Sequence, residues 1–190
     1  ADALAHALAG SDVVINLVGI LNEGGSSTFA SAHDGLAGKV LDACRAGGVP
    51  RYLHMSALNA DASAGSSEYL KSKGRAEDLV RAADSSIAWT MFRPSIVFGE
   101  KDAFFNRFAG LLKLLPVFPL AVPDARMAPV WVGDVCRVML DAIDDPATVG
   151  EAIHLCGPDE YTLRELVEYT ARASDLERVV VGLRDRKSVV

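Results

Sequence analysis

Residues 51-RYLHMSALNADASAGSSEYLKSKGRAEDLVRAADSSIAWTMFRPSIVFG-99 contain a strand, a helix and a second strand. The opening 51-RYLHMSAL-58 is a short apolar run of strand type, and 68-EYLKSKGRAEDLVRAA-83 carries apolar residues at helical spacing. The next strand, 87-IAWTMFRPSIVFG-99, is broken by Pro94, which cannot donate to a sheet ladder. Upstream, 12-DVVINLVGIL-21 is a continuous run of strand type, expected to be buried on both faces. Between these strands, 33-HDGLAGKVLDACRAGG-48 spaces Leu36, Val40, Leu41 and Cys44 at helical period and stops at Gly47-Gly48. Strand, helix, strand, helix, strand at this spacing implies right-handed crossovers and an α/β fold, a parallel sheet with helices on its faces.

After Gly99 the pattern is less regular. An apolar helix is expected in 103-AFFNRFAGLLKLLPVFPL-120, running into a proline-rich loop. A short strand and a helix come next in 129-PVWVGDVCRVMLDAI-143, then a strand in 152-AIHLCG-157. The helix in 161-YTLRELVEYTARA-173 has a capping box, with Thr162 at the N-cap and Glu165 three residues on.

Half of the 190 residues are apolar and 23% are charged, enough apolar material for a proper core. The net charge of −6 and the lack of a basic run argue against nucleic acid as a partner. Cys44, Cys136 and Cys156 lack metal-ligand spacing and read as buried small hydrophobes of a reducing compartment. No leader and no apolar run of spanning length is present, so a soluble cytoplasmic protein is expected. Both ends read as cut, so the chain is expected to be an internal fragment of a longer protein. Its last residues, 185-DRKSVV-190, are what a common short-read sequencing adapter encodes and are read as a non-native tail, with a genuine basic tail as the alternative.

Chemistry concentrates at Tyr69 and Lys73, four residues apart on one helix face. The same stripe continues through Ala76 and Val80, so Lys73 is expected to point inward, where an ammonium needs a partner. A phenol is a poor acid or base at neutral pH, and a neighbouring lysine cation lowers its pKa toward usefulness. Ser56 lies at the carboxyl end of the preceding strand, where open α/β sheets bind ligands. A partly buried tyrosine beside a snorkelling lysine would have the same spacing without any chemistry.

Taken together, HMSALNA, SEYLKSKGRAE, WTMFRPSIVFG, FFNRFAGLL, PVWVGDV and GPDEYTLRELV resemble the short-chain dehydrogenase/reductase superfamily. The likeness is to its extended or atypical branch, which includes the NAD-dependent epimerases and dehydratases of sugar nucleotides. Within it, the blocks are most similar to the subunit 9 family of respiratory complex I (NADH:ubiquinone oxidoreductase) and its bacterial relatives. The resemblance implies a Rossmann-like doubly wound sheet and NAD or NADP as cofactor. It also implies that the N-terminal βαβαβ unit precedes Ala1, since the glycine-rich G-x-x-G-x-x-G turn of such proteins is absent here. On this basis residues 1–100 are the C-terminal half of the dinucleotide-binding domain. Residues 101–184 complete the sheet and form a small substrate or partner subdomain.

By the same resemblance, Val18 and Gly19 line the cofactor ribose, and Ser56 bonds the substrate carbonyl or merely fills that place. Tyr69 exchanges the proton, Lys73 binds the ribose and lowers the tyrosine pKa, and Pro94, Ser95 and Ile96 flank the nicotinamide. His33 stands where many members have asparagine and is read as a solvated residue at a helix start. Two functions stay open: an NAD(P)-dependent oxidoreductase or epimerase using Tyr69, or a module holding the nucleotide structurally, linked to quinone metabolism. The apolar segment 103–120, with Arg107 and Lys113, is a candidate contact for a respiratory complex or the inner-membrane surface, and equally for a lid. His54 reads as a satisfied core histidine rather than a metal ligand, and Asp134 as an N-cap.

Overall fold

The computed structural model describes residues 2–83 and 85–183; the expected tail at 185–190 lies outside them. In chain order the first elements are α1 (Asp2–Leu8), β1 (Val13–Asn16), a π-turn (Ala30–Gly35), α2 (Leu36–Gly47), β2 (Arg51–Met55), α3 (Glu68–Arg81) and β3 (Ala88–Pro94). Next come β4 (Val97–Phe98), α4 (Ala103–Leu114), β5 (Val117–Ala121), β6 (Arg126–Met127), β7 (Val130–Trp131) and α5 (Val132–Asp144). The chain continues through β8 (Ala152–Leu155), β9 (Tyr161–Thr162), α6 (Leu163–Ala173) and β10 (Val179–Leu183). The described residues form two compact units, one of those up to residue 94 with 136–155, and one of residues 95–135 with 156–183.

The first unit is built on a four-stranded sheet in the order β1-β2-β3-β8, with every pairing parallel. Alternation along β2 sends Tyr52 to one face, where it joins Val40, Leu41 and Cys44 of α2, Val80 of α3 and Met91 of β3 in a buried cluster. Gly48 ends α2 in the left-handed region at φ 69°, where a glycine costs nothing and a Cβ would be strained. On the opposite face Arg51 is buried, and its guanidinium donates to the Ala142 carbonyl at 2.5 Å and the Thr90 hydroxyl at 2.8 Å. That ties the sheet to the last turn of α5.

Strand β1 is shorter than the sequence suggests. The expected strand over 12–21 ends at Asn16, whose side-chain oxygen accepts the Val18 N–H at 3.1 Å. The Ile20 N–H goes to the His33 ring, so backbone donors beyond Asn16 are met by side chains rather than by a ladder. Leu17, Val18 and Leu21 are consequently exposed, as is Ile15 within β1 itself, so the run is not buried on both faces.

In the second unit Leu112 of α4, Phe118 and Leu120 of β5, Leu163 and Val167 of α6 and Val180 of β10 form a separate core. The expected proline-rich loop after α4 is a strand. β5 runs parallel to β10, with Pro119 level with Val181 and alternate residues Phe118 and Leu120 turned inward. A proline fits there because β5 pairs on one side only. The Thr162–Glu165 capping box forms as expected. Asp134 is exposed in the first turn of α5 rather than at its N-cap, because the helix already starts at Val132. Of the three cysteines only Cys44 is buried; Cys136 and Cys156 are exposed. Among the described residues no helix is long and apolar enough to cross a membrane.

Gly74 sits in the middle of α3, where alanine would normally gain about 1 kcal/mol in helix propensity. A Cβ there would lie 2.1 Å from the Ala62 backbone nitrogen and 2.2 Å from the Asp61 carbonyl carbon. Neither is a flexible side chain, so overpacking wins. Gly74→Ala should lower the unfolding free energy by about 1–3 kcal/mol in urea titration, and an unchanged or raised midpoint would refute this packing.

Candidate functional site

Helix α3 is fixed at its start by Ser67, whose hydroxyl accepts the Leu70 N–H at 3.2 Å. Tyr69, Lys73 and Glu77 then succeed one another at four-residue steps, one turn apart on one face. Each meets a different environment.

Glu77 is fully buried and is the anchor. Its Oε1 accepts the Ser56 hydroxyl at 2.5 Å and the Arg93 Nε–H at 2.8 Å. Its Oε2 accepts from a second Arg93 nitrogen and from Arg81 at 2.8 Å. Burial alone would push this carboxyl up, but hydrogen bonds from Arg93 and Ser56, with the Arg93 charge and Arg81, outweigh it and hold it below the ordinary range. Ser56, at the end of β2, is therefore itself buried with its one proton committed to a carboxylate.

Lys73 is buried, and its Nζ donates to the Met55 carbonyl at 3.0 Å. Burial lowers its pKa to about 8, with Glu77 pulling the other way. Tyr69, one turn earlier, is half-buried and packs edge-on against the rings of His33 and Phe29, at centroid distances of 5.5 and 6.1 Å. Its hydroxyl makes no hydrogen bond among the described residues. The sequence suggested that Lys73 would lower the tyrosine pKa. Burial raises it instead, because the ammonium is drawn to the end of β2.

His33 is buried rather than solvated. Its Nε2 accepts the Ile20 N–H at 3.0 Å, which places the ring proton on Nδ1. Nδ1–H then donates to the Ser72 hydroxyl at 2.8 Å, and Ser72 donates to the Tyr69 carbonyl at 2.7 Å. Burial and the Lys73 charge push the His33 pKa down to about 4. This brace holds the loop after β1 against α3, and a Cβ on Gly19 would lie only 3.1 Å from Lys73 Nζ. His54 is buried as expected, accepting the Tyr52 hydroxyl at Nδ1 over 3.1 Å, while Asn16 donates to Tyr52 at 3.0 Å. Its other nitrogen is buried without a partner, so it is only half satisfied, and burial lowers its pKa to about 3.

The first unit thus gathers Gly19, Ser56, Tyr69 and Lys73 around the carboxyl ends of β1 and β2. Val18 lies half exposed beside Gly19. Pro94 ends β3, its carbonyl accepting the Leu58 N–H at 2.8 Å. Ser95 and Ile96 belong to the second unit, where Ser95 Oγ accepts the Ala128 N–H at 3.2 Å and the Ile96 carbonyl accepts the Val130 N–H at 2.9 Å. Glu77, Arg93 and Ser72 were not singled out from the sequence. Glu77 could have been, since it continues the four-residue step from Tyr69 and Lys73.

A parallel sheet with a Tyr-x-x-x-Lys helix beside its carboxyl edge defines a Rossmann-like nucleotide-binding domain. Residues 1–107 match the family described as NAD(P)H-binding, and the chain belongs to that family. It is homologous to subunit 9 of the NADH dehydrogenase [ubiquinone] 1 alpha subcomplex. Identity is 34% with the mitochondrial protein of Mus musculus, over 88% of this chain and 44% of the relative. It is 33% with that of Arabidopsis thaliana, over 88% of this chain and 42% of the relative. The chain therefore spans less than half the length of these relatives. Among solved structures it is similar in fold to a UDP-glucuronic acid 4-epimerase of Bacillus cereus in complex with UDP-glucuronic acid and NAD. There the TM-score is 0.78 at 18% identity, covering 96% of this chain and 65% of the other.

Two stability measurements test the electrostatics. Glu77→Gln removes the charge that Arg93 and Arg81 face and should cost about 2–4 kcal/mol, below a fully buried pair because both arginines reach water. The imidazoles have folded pKa values below the unfolded 6.5, so the unfolded chain takes up protons that the folded one refuses. Stability should therefore fall as pH drops from 6.5 toward 4.5, by up to about 1.4 kcal/mol per pH unit for each histidine. Glu77, with its depressed pKa, contributes stability that is lost only on further acidification. Urea titrations across that window should show the slope roughly halved in His54→Gln; a flat wild-type profile would overturn the neutral-histidine assignment.

Proposed function

We propose that this chain supplies the ribose and nicotinamide side of an NAD(P)-binding site whose nucleotide is structural, in a protein of the subunit 9 type. The observation that carries this reading is the Ser56 hydroxyl, which is donated to buried Glu77 at 2.5 Å. A serine so engaged has no proton for a substrate carbonyl. Lys73 has spent one of its three N–H donors on Met55, leaving two for ribose hydroxyls beside Gly19. The cofactor is NAD or NADP, and Val18, Gly19, Lys73, Pro94, Ser95 and Ile96 are its proposed contacts.

The likeness to mitochondrial NADH dehydrogenase [ubiquinone] subunits supports a place in or beside a respiratory complex, with quinone metabolism as the setting, and the inner-membrane surface is the proposed location. The proposed contact is 103–120, where Leu111, Leu114, Leu115 and Val117 are exposed. The second reading is a catalytic oxidoreductase, epimerase or dehydratase. It is favoured by the Tyr69 hydroxyl, which remains unengaged and on the same face as Lys73.

The test uses the full-length product of the gene, denatured after purification so that released nucleotide can be identified. Near-stoichiometric, slowly exchanging NAD(H) or NADP(H), retained in Tyr69→Phe and lost in Lys73→Met, is the expected outcome. Rapidly exchanging cofactor, with turnover abolished by Tyr69→Phe, would establish the catalytic reading instead. Absence of any nucleotide and of any binding would reject both.

A further inference from the structure

The second unit contains a cavity of its own, about 780 Å³ in volume, between α4 and α6. That is within the range of pockets that bury a small organic ligand. All of its lining residues belong to the second unit, and none of them is among the residues proposed to contact the dinucleotide.

Its walls are aromatic and aliphatic. Phe98 and Phe105 meet edge to face at 6.0 Å, and Tyr161, Tyr169 and Leu166 complete the lining across from them. Tyr161 and Tyr169 are 41% and 58% exposed, so much of this aromatic surface has no protein partner. The charges are one-sided: Glu100, Asp102, Asp159 and Glu165 against Arg172 alone. Helix N-termini, the usual docking points for phosphate, are present on both α4 and α6. Each already carries a carboxylate of its own chain. Asp102 accepts the Phe105 N–H at 2.6 Å, and Glu165 accepts the Thr162 N–H at 2.7 Å. Glu100 and Asp159 have no side-chain partner among the described residues and leave the lining negative.

A diphosphate or carboxylate entering this cavity would meet four carboxylates and occupied helix ends. An uncharged apolar body would instead bury its surface against the aromatic walls. We propose that this cavity binds an uncharged, largely apolar small molecule and rejects anions, nucleotide sugars included.

A matched pair of fluorescent probes tests this on the whole chain. N-phenyl-1-naphthylamine is uncharged, whereas 1-anilinonaphthalene-8-sulfonate carries a similar body with a sulfonate. The uncharged probe should bind saturably and at least ten-fold more tightly than the sulfonate, and UDP-glucose should not displace it. Ala109→Trp fills the cavity and should weaken the uncharged probe at least ten-fold with an unchanged melting temperature. If that variant fails to fold, Glu100→Lys/Asp159→Lys decides: it should raise sulfonate affinity to that of the uncharged probe, which stays as it was. Equal affinity for both probes in the wild type, displacement by UDP-glucose, or full binding to folded Ala109→Trp would overturn the proposal. So would a sulfonate affinity indifferent to the double lysine change.

Discussion

A single buried carboxylate holds the first unit's working parts in register. Taking Glu77 out of water costs several kcal/mol, and only a full set of donors offsets it. Those donors come from the end of β2 (Ser56), from β3 (Arg93) and from its own helix (Arg81). Satisfying the charge therefore fixes α3 against two strands at once. The remaining side chains are placed turn by turn toward the N-terminus of the helix. Lys73, one turn back, is set against the last carbonyl of β2, and Tyr69, one turn further, reaches the half-exposed rim. Gly74 lets the helix come close enough, since the 61–62 backbone occupies the space of a side chain.

A second brace acts from the other side. The Ile20 amide, the His33 ring, the Ser72 hydroxyl and the Tyr69 carbonyl form one directional chain of hydrogen bonds, with its protons fixed by the first donor. It makes the loop after β1 and the start of α3 a single piece. Protonating His33 would set a second N–H against that of Ile20, so the brace is also what makes the site sensitive to acid. Mid-helix serines often bond their own backbone, and here that habit completes the relay.

The alternation of strands and helices was legible because hydrophobic period reports local geometry directly, and β2, α2 and α3 lie where their patterns put them. The strand expected over 12–21 was too long because its donors are taken by Asn16 and His33, contacts that no period records. Proline misled in the other direction at β5, where pairing on one edge tolerates Pro119. At the site, Tyr69 and Lys73 were visible as a spaced pair. Glu77 continues that step but reads as an ordinary charged residue of a wet helix face, and Arg93 on β3 carries no periodic signal at all, so only each other's presence reveals their burial. His33 failed for the same reason: its depth depends on a π-turn and on Ser72, thirty-nine positions away.

This difference bears on what a Tyr-x-x-x-Lys spacing can mean. The motif positions two side chains, but function depends on where their protons and those of the neighbouring serine are already spent. Here the serine has one proton and gives it to a carboxylate, whereas the lysine has three and gives one to a carbonyl. Under the proposed reading, binding survives that allocation because two lysine donors remain for ribose. Carbonyl polarisation does not survive it, and a phenol raised by burial gains nothing to compensate. On that reading, releasing Ser56 for a substrate carbonyl would require Glu77 to give up a donor while buried, so a gain of turnover would have to begin at Glu77 rather than at Tyr69.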